Sequence, residues 1–279
     1  MLRRKIANVV MLGLMWLAAG VVLLPLVLIL WRLVSQGASA LNWDFFTKMP
    51  APPGGTGGGM ANAIVGTLYL LAIASVVGLP VGIGAGIFLA EHRGARLANA
   101  VRFLSDVLNG LPSIVVGIFA WQILVRPMHH FSALAGGIAL GSMMIPLTAR
   151  TTEEMIRTVP NSLREAALAL GYPNWRTSLS IVARTALPGI VTGALVALAR
   201  VAGETAPLLF TALGNNFWSV QATQPIDALP LRLYLYATSP YDDWNRQAWA
   251  GALVLIGLVL VISLLARHVT RAKFGKAVD

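Results

Sequence analysis

Glu165-Ala166-Ala167-Leu168-Ala169-Leu170-Gly171 interrupts two long apolar stretches, one closing near Ala149 and the next opening near Ala186. Ser162-Leu163-Arg164-Glu165 has the S-x-x-E spacing of a capping box, so the spacing predicts a helix starting at Ser162. Gly171 suits the left-handed residue that closes a helix, and Pro173 prevents its continuation. Asn174 is placed to cap a second short helix through Trp175, Arg176 and Leu179. Segment 150–185 therefore reads as helix, sharp turn, helix. Ala166, Ala167 and Ala169 keep the first helix thin, while Tyr172, Trp175 and Leu179 offer apolar anchors. Two readings stand at this point. The unit rests on a bilayer surface and Glu165 only completes its box, or a protein partner grips it.

The flanking sequence makes the membrane setting plain. Of 279 residues, 57% are hydrophobic and 11% charged, with a mean hydropathy of +0.72; a soluble domain of this size needs far more charged surface. The apolar residues fall in blocks of the roughly 20 residues that a spanning helix requires. Six blocks stand out, at about 9–33, 61–90, 107–125, 131–149, 186–213 and 247–266. The third is interrupted by Pro112 and Gly117. The fold class is all-α, with six transmembrane helices. Arg3-Arg4-Lys5 before the first block imitates a signal peptide, but the block is too long and Trp31-Arg32 follows it, so it reads as an uncleaved span.

The net charge of +10 is dispersed among the blocks. It builds no continuous groove, which argues against nucleic acid as a partner. With the N-terminus inside, fifteen Lys and Arg fall on the inner side and five (Arg32, Lys48, Arg126, Arg232 and Arg246) on the outer side. This asymmetry predicts six spans with both termini cytoplasmic. There is no cysteine, hence no disulfide. The organisation expected is a first span with a Gly/Pro-rich outer linker at 1–60, a core at 61–267 containing the loop 150–185, and a basic cytoplasmic tail at 268–279. The linker, Pro50 to Gly59, reads as mobile. In the outer segment 214–246, Asn215-Asn216-Phe217-Trp218, Tyr234, Tyr236, Tyr241 and Trp244 read as interfacial anchors or as a docking surface. Gly78, Gly82 and Gly86 recur on one helix face, as do Gly137 and Gly141. Such faces allow close packing in lipid, within the chain or, for the first set, against a second subunit.

E-A-A-x3-G followed by Ile181 resembles the coupling loop of type I ABC-importer permeases, although Ile181-Val182-Ala183-Arg184 stands where those permeases usually carry Ile-x-Leu-Pro. Leu111-Pro112-Ser113-Ile114-Val115-Val116-Gly117 and Ile145-Pro146-Leu147-Thr148-Ala149-Arg150-Thr151-Thr152-Glu153-Glu154 resemble the permeases of the high-affinity phosphate importer. Ala199-Arg200-Val201-Ala202-Gly203-Glu204-Thr205-Ala206-Pro207 and Asn216-Phe217-Trp218 resemble its PstA type. The resemblance covers roughly residues 59–267. It implies a bacterial inner-membrane permease with the type I importer fold, forming half of a phosphate path. It further implies a PstC-like second permease, a PstB-like ATPase dimer and an extracytoplasmic PstS-like binding protein. Glu165, Ala166, Ala167, Gly171, Tyr172 and Trp175 would then meet the ATPase. The alternatives are a permease for molybdate or sulfate, or an ATP-independent carrier.

The chain itself offers no ATP site. Its Gly-rich linker lacks G-x4-G-K-[ST], and Gly275-Lys276-Ala277 lacks both the preceding glycine and the hydroxyl. The expectation is a non-catalytic subunit that binds no cofactor, with ATP and Mg used by the partner. No His or carboxylate cluster reads as a metal site, and His129-His130 reads as solvated. Arg200 and Glu204 lie one helical turn apart in the fifth apolar block. An ionised side chain in lipid costs about 2.5–3.5 kcal/mol, so they form a mutual ion pair or line a path. In a phosphate permease Arg200 offers the oxyanion a planar fork, and Glu204 restrains it. Arg150 is either an exit-side phosphate contact or a topology residue. Thr205 and Thr211 are weaker pathway candidates.

Overall fold

The computed structural model describes residues 2–274, with side chains as far as His268. Residues 275–279, including Lys276 of the expected basic tail and the Gly275-Lys276-Ala277 stretch, lie outside them. The regular secondary structure of the described residues is all helical, without strands. The long elements are α1 (Leu2–Ala40), α3 (Ala61–Glu91), α7 (Ala133–Arg157), a continuous helix Asn174–Ala202 and α13 (Asp242–Phe274). Each is long and apolar enough to cross a membrane. Between α1 and α3 lies the short α2 (Trp43–Thr47).

The sixth expected span differs from its reading. Residues 107–110 belong to α4 (Arg96–Gly110), and the apolar run resumes in α5 (Ser113–Ala120), a π turn Trp121–Val125 and α6 (Arg126–Met128). The two halves meet at 104°. Pro112 forces the preceding Leu111 out of the helical region, to ψ 136, because its ring crowds that residue's backbone. The block 107–125 is therefore not one straight helix, and the sixth span is a pair broken at Pro112. The fifth block changes in the opposite sense. Its helix starts at α9 (Asn174–Arg176), passes through a π turn Thr177–Val182 and continues as α10 (Ala183–Ala202). It ends at Gly203 and gives way to α11 (Ala206–Thr211). The second helix of the loop and the fifth span are thus one rod.

Glycine sets the core. Gly78 lies against Gly141 and Met144, Gly82 against Thr148, and Gly86 against Thr152. The partners advance in the same direction along both chains, so α3 and α7 are parallel. In return Gly137 receives Ile73 and Gly141 abuts Ala74. The glycine face of α3 is thus filled within the chain, which removes the alternative of a second subunit there. Helix α10 joins on the other side of α7 in the antiparallel sense, with Gly189 against Met155 and Gly193 against Thr151. Lipid tails are as apolar as leucine, so this association rests on close packing of backbones.

One end of the bundle carries the arginines of α4 and of the loop after α7, and is called here the basic end. At the opposite end, the expected mobile linker is tied down. Phe45 of α2 and Met60 are buried with Tyr236 and Trp244. Gly57 donates to Asp243 and accepts from Gln247 of α13 at 2.7 Å. Gly59 packs so closely on the carbonyl oxygens of Asp44 and Phe45 that no side chain fits. Helix α12 (Leu229–Ala237) crosses this end. Tyr236 stacks on Trp244 at 4.4 Å, so these two aromatics are core and not interfacial anchors. Phe217, Trp218 and Tyr234 are exposed. The first turn of α7 also finds partners there, since Ser132, Ala133 and Leu134 donate to the carbonyls of Thr211, Gln224 and Ala222 at 2.8–2.9 Å. Helix α1 touches the bundle through Leu33 and Gly37, the latter against Trp249.

The glycine contacts generate a paired test. A Cβ at Gly86 would lie 2.5 Å from the Thr152 Cβ, whereas one at Gly84 meets nothing within 4 Å. Gly86→Ala is expected to lose about 1–3 kcal/mol through overpacking, seen as a lower thermal midpoint of the detergent-solubilised protein. Gly84→Ala is expected to hold or raise it.

Candidate functional site

The loop between α7 and the Asn174–Ala202 rod begins with α8 (Asn161–Ala169), which starts one residue earlier than the capping box predicts. Its N-cap is Pro160, and no side chain caps it. Ser162 is already inside the helix, so the box does not form and Glu165 is left exposed. The closure follows the expectation. Gly171 has φ +82, its N–H reaches the Leu168 carbonyl at 2.9 Å, and Tyr172 N–H reaches that of Ala167 at 3.2 Å. This pair of bonds satisfies carbonyls that the helix end leaves open. Ala167 is the buried residue of α8, while Leu170 and Trp175 are exposed. Tyr172 is half-buried, with the Arg176 guanidinium 5.0 Å over its ring.

Two ionic contacts fix this end of the molecule. Arg164 of α8 reaches Glu91, the last residue of α3, at 2.7 Å. Next to it, Glu153 of α7 is 1% exposed and gathers three guanidinium groups. Arg102 of α4 donates to its Oε1 at 2.8 Å, Arg157 donates to the same oxygen, and Arg150 lies 3.6 Å from Oε2. Arg102 also donates to the Leu89 carbonyl and to Asn99. Arg150 pairs with Asp106 of α4 at 3.3 Å as well. Arg150 is therefore a member of this network, partly exposed, and not an unattached cation. The sequence shows the i−3 and i+4 spacing of Arg150 and Arg157 about Glu153. Arg102, fifty-one positions away, is brought in only by the fold.

Arg200 and Glu204 do not share a helix face. The helix ends at Ala202, leaving Arg200 exposed in its last turn and Glu204 half-buried beyond the break. No ion pair joins them, which removes the mutual-pair reading. The last turn favours a cation, because open carbonyls concentrate negative potential there. Pro188, Thr192, Val196 and Arg200, spaced by four, form a stripe of α10 that the rest of the chain leaves uncovered. Thr205 faces the Pro230 carbonyl at 3.5 Å. Thr211 is fully buried and bonded to Pro207, hence no part of an open path.

The opposite end holds a network that the sequence reading did not find. Arg232 and Asp227 are 4% and 3% exposed. Arg232 donates to Asp227 from Nε at 2.8 Å and again from its terminal nitrogen, and to Asn216 Oδ1 at 2.8 Å. Asn62, at the start of α3, donates to Asp227 and to the Asn215 carbonyl. Burial pushes the Asp227 carboxyl above its usual range, against the pull of Arg232. The network joins α3, α12 and the 212–228 loop.

Comparison with known proteins adds sequence kinship and fold. Residues 82–274 match the family described as "Binding-protein-dependent transport system inner membrane component". The chain is 48% identical over 249 residues to a Yersinia pestis protein named "Phosphate transport system permease protein PstA", covering 89% of this chain and 84% of that one. A Haemophilus influenzae protein of the same name is 44% identical over 266 residues, covering 95% and 94%. Among solved structures, a chain of a bacterial alginate ABC transporter superposes with a TM-score of 0.69 at 15% identity, covering 97% of each chain. A chain of the inward-facing MetNI methionine ABC transporter does so with a TM-score of 0.63 at 22% identity, covering 76% of this chain and 96% of that one. These two establish the fold, that of ABC-importer permeases.

Removing Arg232 strands a buried carboxylate. Arg232→Met is expected to lose about 3–5 kcal/mol of stability, read as a fall in thermal midpoint. Adding Asp227→Leu is expected to recover much of it.

Proposed function

The chain belongs to the family of binding-protein-dependent transport system inner membrane components, and on that premise we propose that it is the permease subunit of an ATP-driven importer of inorganic phosphate. The observation that carries the reading is the glycine-closed α8. It is held to α3 by Arg164 and Glu91, continues through its turn into the Asn174–Ala202 rod, and displays Glu165, Leu170 and Trp175. Similarity to phosphate transport permeases over most of the chain supports the substrate class.

In this reading a PstB-like ATPase dimer grips the α8 turn and consumes ATP with Mg, so that this chain performs no catalysis and binds no cofactor. Glu165 supplies a free carboxylate, Trp175 an apolar contact, and Ala166, Ala167, Gly171 and Tyr172 the shape of the turn. A PstC-like permease completes the path, and a PstS-like binding protein docks on the outer face. The excess of arginine at the basic end supports a cytoplasmic position for it, with both termini there and the chain in a bacterial inner membrane. Movement of α8 by the ATPase passes through the short Leu170–Pro173 turn into the transmembrane rod, which itself carries the π turn and Pro188.

Arg200 is the proposed contact for the oxyanion. It ends the uncovered stripe of α10, and its guanidinium fork matches two phosphate oxygens. Glu204 and Thr205, at the break that follows, border the same place. Arg150 serves the basic end, where Asp106 and Glu153 already balance it.

Uptake of labelled phosphate in cells lacking the chain, at low external phosphate, tests the reading against labelled molybdate and sulfate. Restoration of phosphate uptake alone is expected; restoration of another oxyanion overturns the substrate. Arg200→Ala is expected to lower uptake about tenfold or more, the loss of one charge-assisted contact, at unchanged membrane abundance. Glu165→Ala caps nothing less, so its expected effect is weaker recovery of the ATPase with the permease and an unaltered thermal midpoint.

A further inference from the structure

Helix α4, the first half of the bent pair, is amphipathic. Ala98, Arg102 and Ser105 face the bundle, and Leu97, Phe103 and Leu104 are exposed on the other side. Its attachment is mostly ionic. Arg102 bridges the Leu89 carbonyl of α3 at 2.7 Å and Glu153 of α7 at 2.8 Å, and Asp106 meets Arg150 of α7 one turn further on. The same Glu153 oxygen that accepts from Arg102 also accepts from Arg157, the last residue of α7 and four positions before α8 begins. Through Leu89, Arg102 also reaches the turn of α3 whose end, Glu91, holds Arg164 of α8. A carboxylate that is 1% exposed and shared by three guanidinium groups has two discrete conditions. It keeps them, or it is left buried and unpaired at high cost.

We propose that Glu153 is a positioning residue that makes α4 follow the α8 loop, so that the helix leading into the α5 arm is moved when the loop is moved. The inference rests on the reading of α8 as the ATPase-coupling element. It contacts no substrate and no nucleotide. Glu153 and Arg157 report the end of α7 to Arg102, Arg150 relays the same carboxylate to Asp106, and α4 turns into α5 at Pro112. Packing alone does not explain the arrangement, because only Ala98 and Ser105 of α4 are buried against the bundle, and both are small.

This chain has no cysteine, so with any cysteines of the partner subunits replaced, spin labels are introduced without background. In the assembled transporter, one pair joins Leu104 of α4 to Val76 of α3, and a second joins Leu170 of the loop to Val76. Distances are read without nucleotide and with ATP trapped by vanadate, beside uptake and ATPase rates in proteoliposomes. In the otherwise unaltered chain, both distances are expected to shift. With Glu153→Gln, the Leu170 distance still shifts, the Leu104 distance does not, and transport per ATP falls about tenfold, within the usual range of coupling between sites. Arg102→Gln, which leaves Glu153 paired with Arg157 and Arg150, is expected to do the same and guards against misfolding of the first variant. Arg102→Lys, which keeps the charge, is expected to restore part of the shift. A Leu104 shift that persists in both Gln variants, or an unaltered ratio of transport to ATPase, overturns the inference. An unaltered transporter with neither phosphate uptake nor phosphate-dependent ATPase overturns the reading of function beneath it, and the inference with it.

Discussion

The core of this molecule is set by the parallel packing of α3 on α7. Gly78, Gly82 and Gly86 bring the two backbones so close that Met144, Thr148 and Thr152 fill the space a β-carbon would need. Inside a bilayer no hydrophobic force draws helices together, so shape has to supply the contact. Because these helices are parallel, the connection between them must cross the bundle. That crossing is α4, the bend at Pro112 and the short α5–α6 arm.

The two ends of the bundle are secured by different means from its middle. At the basic end, Glu153 and Glu91 each hold arginine from another element. At the other end, Asp227 and Arg232 lie buried with Asn62, the Gly-rich linker bonds Asp243 and Gln247 of α13, and the 211–224 loop satisfies the backbone N–H groups at the start of α7. Glycines knit the span region where water is absent. Charges and amides work at the ends, where the cost of their burial is met by dense hydrogen bonding.

The loop joins these regimes. Its first helix is stopped by Gly171, and its second becomes the membrane rod that carries Arg200 at its far end. The rod is interrupted by the π turn Thr177–Val182 and Pro188. One element therefore runs from the proposed ATPase-facing turn to the uncovered stripe of the proposed anion path.

Much of this was legible in the sequence. Apolar block length marked six spans, five of them single helices and the sixth the pair bent at Pro112, and the all-α class, because the bilayer admits few other solutions. Gly171 announced the end of α8, because only a left-handed residue closes a helix in that way. The EAA-type loop and its flanking motifs identified the family. Other features depend on what lies alongside. Ser162 failed as a cap because Pro160 already started the helix. Arg200 and Glu204 parted because Gly203 ended theirs. Tyr236 and Trp244 became core because Phe45 and Met60 came to cover them. Arg102 found Glu153 because α4 folded back across α7. Periodicity and end signals are local and survive in one dimension, whereas an ion pair between distant residues, or the burial of an aromatic, exists only once the helices have chosen their neighbours.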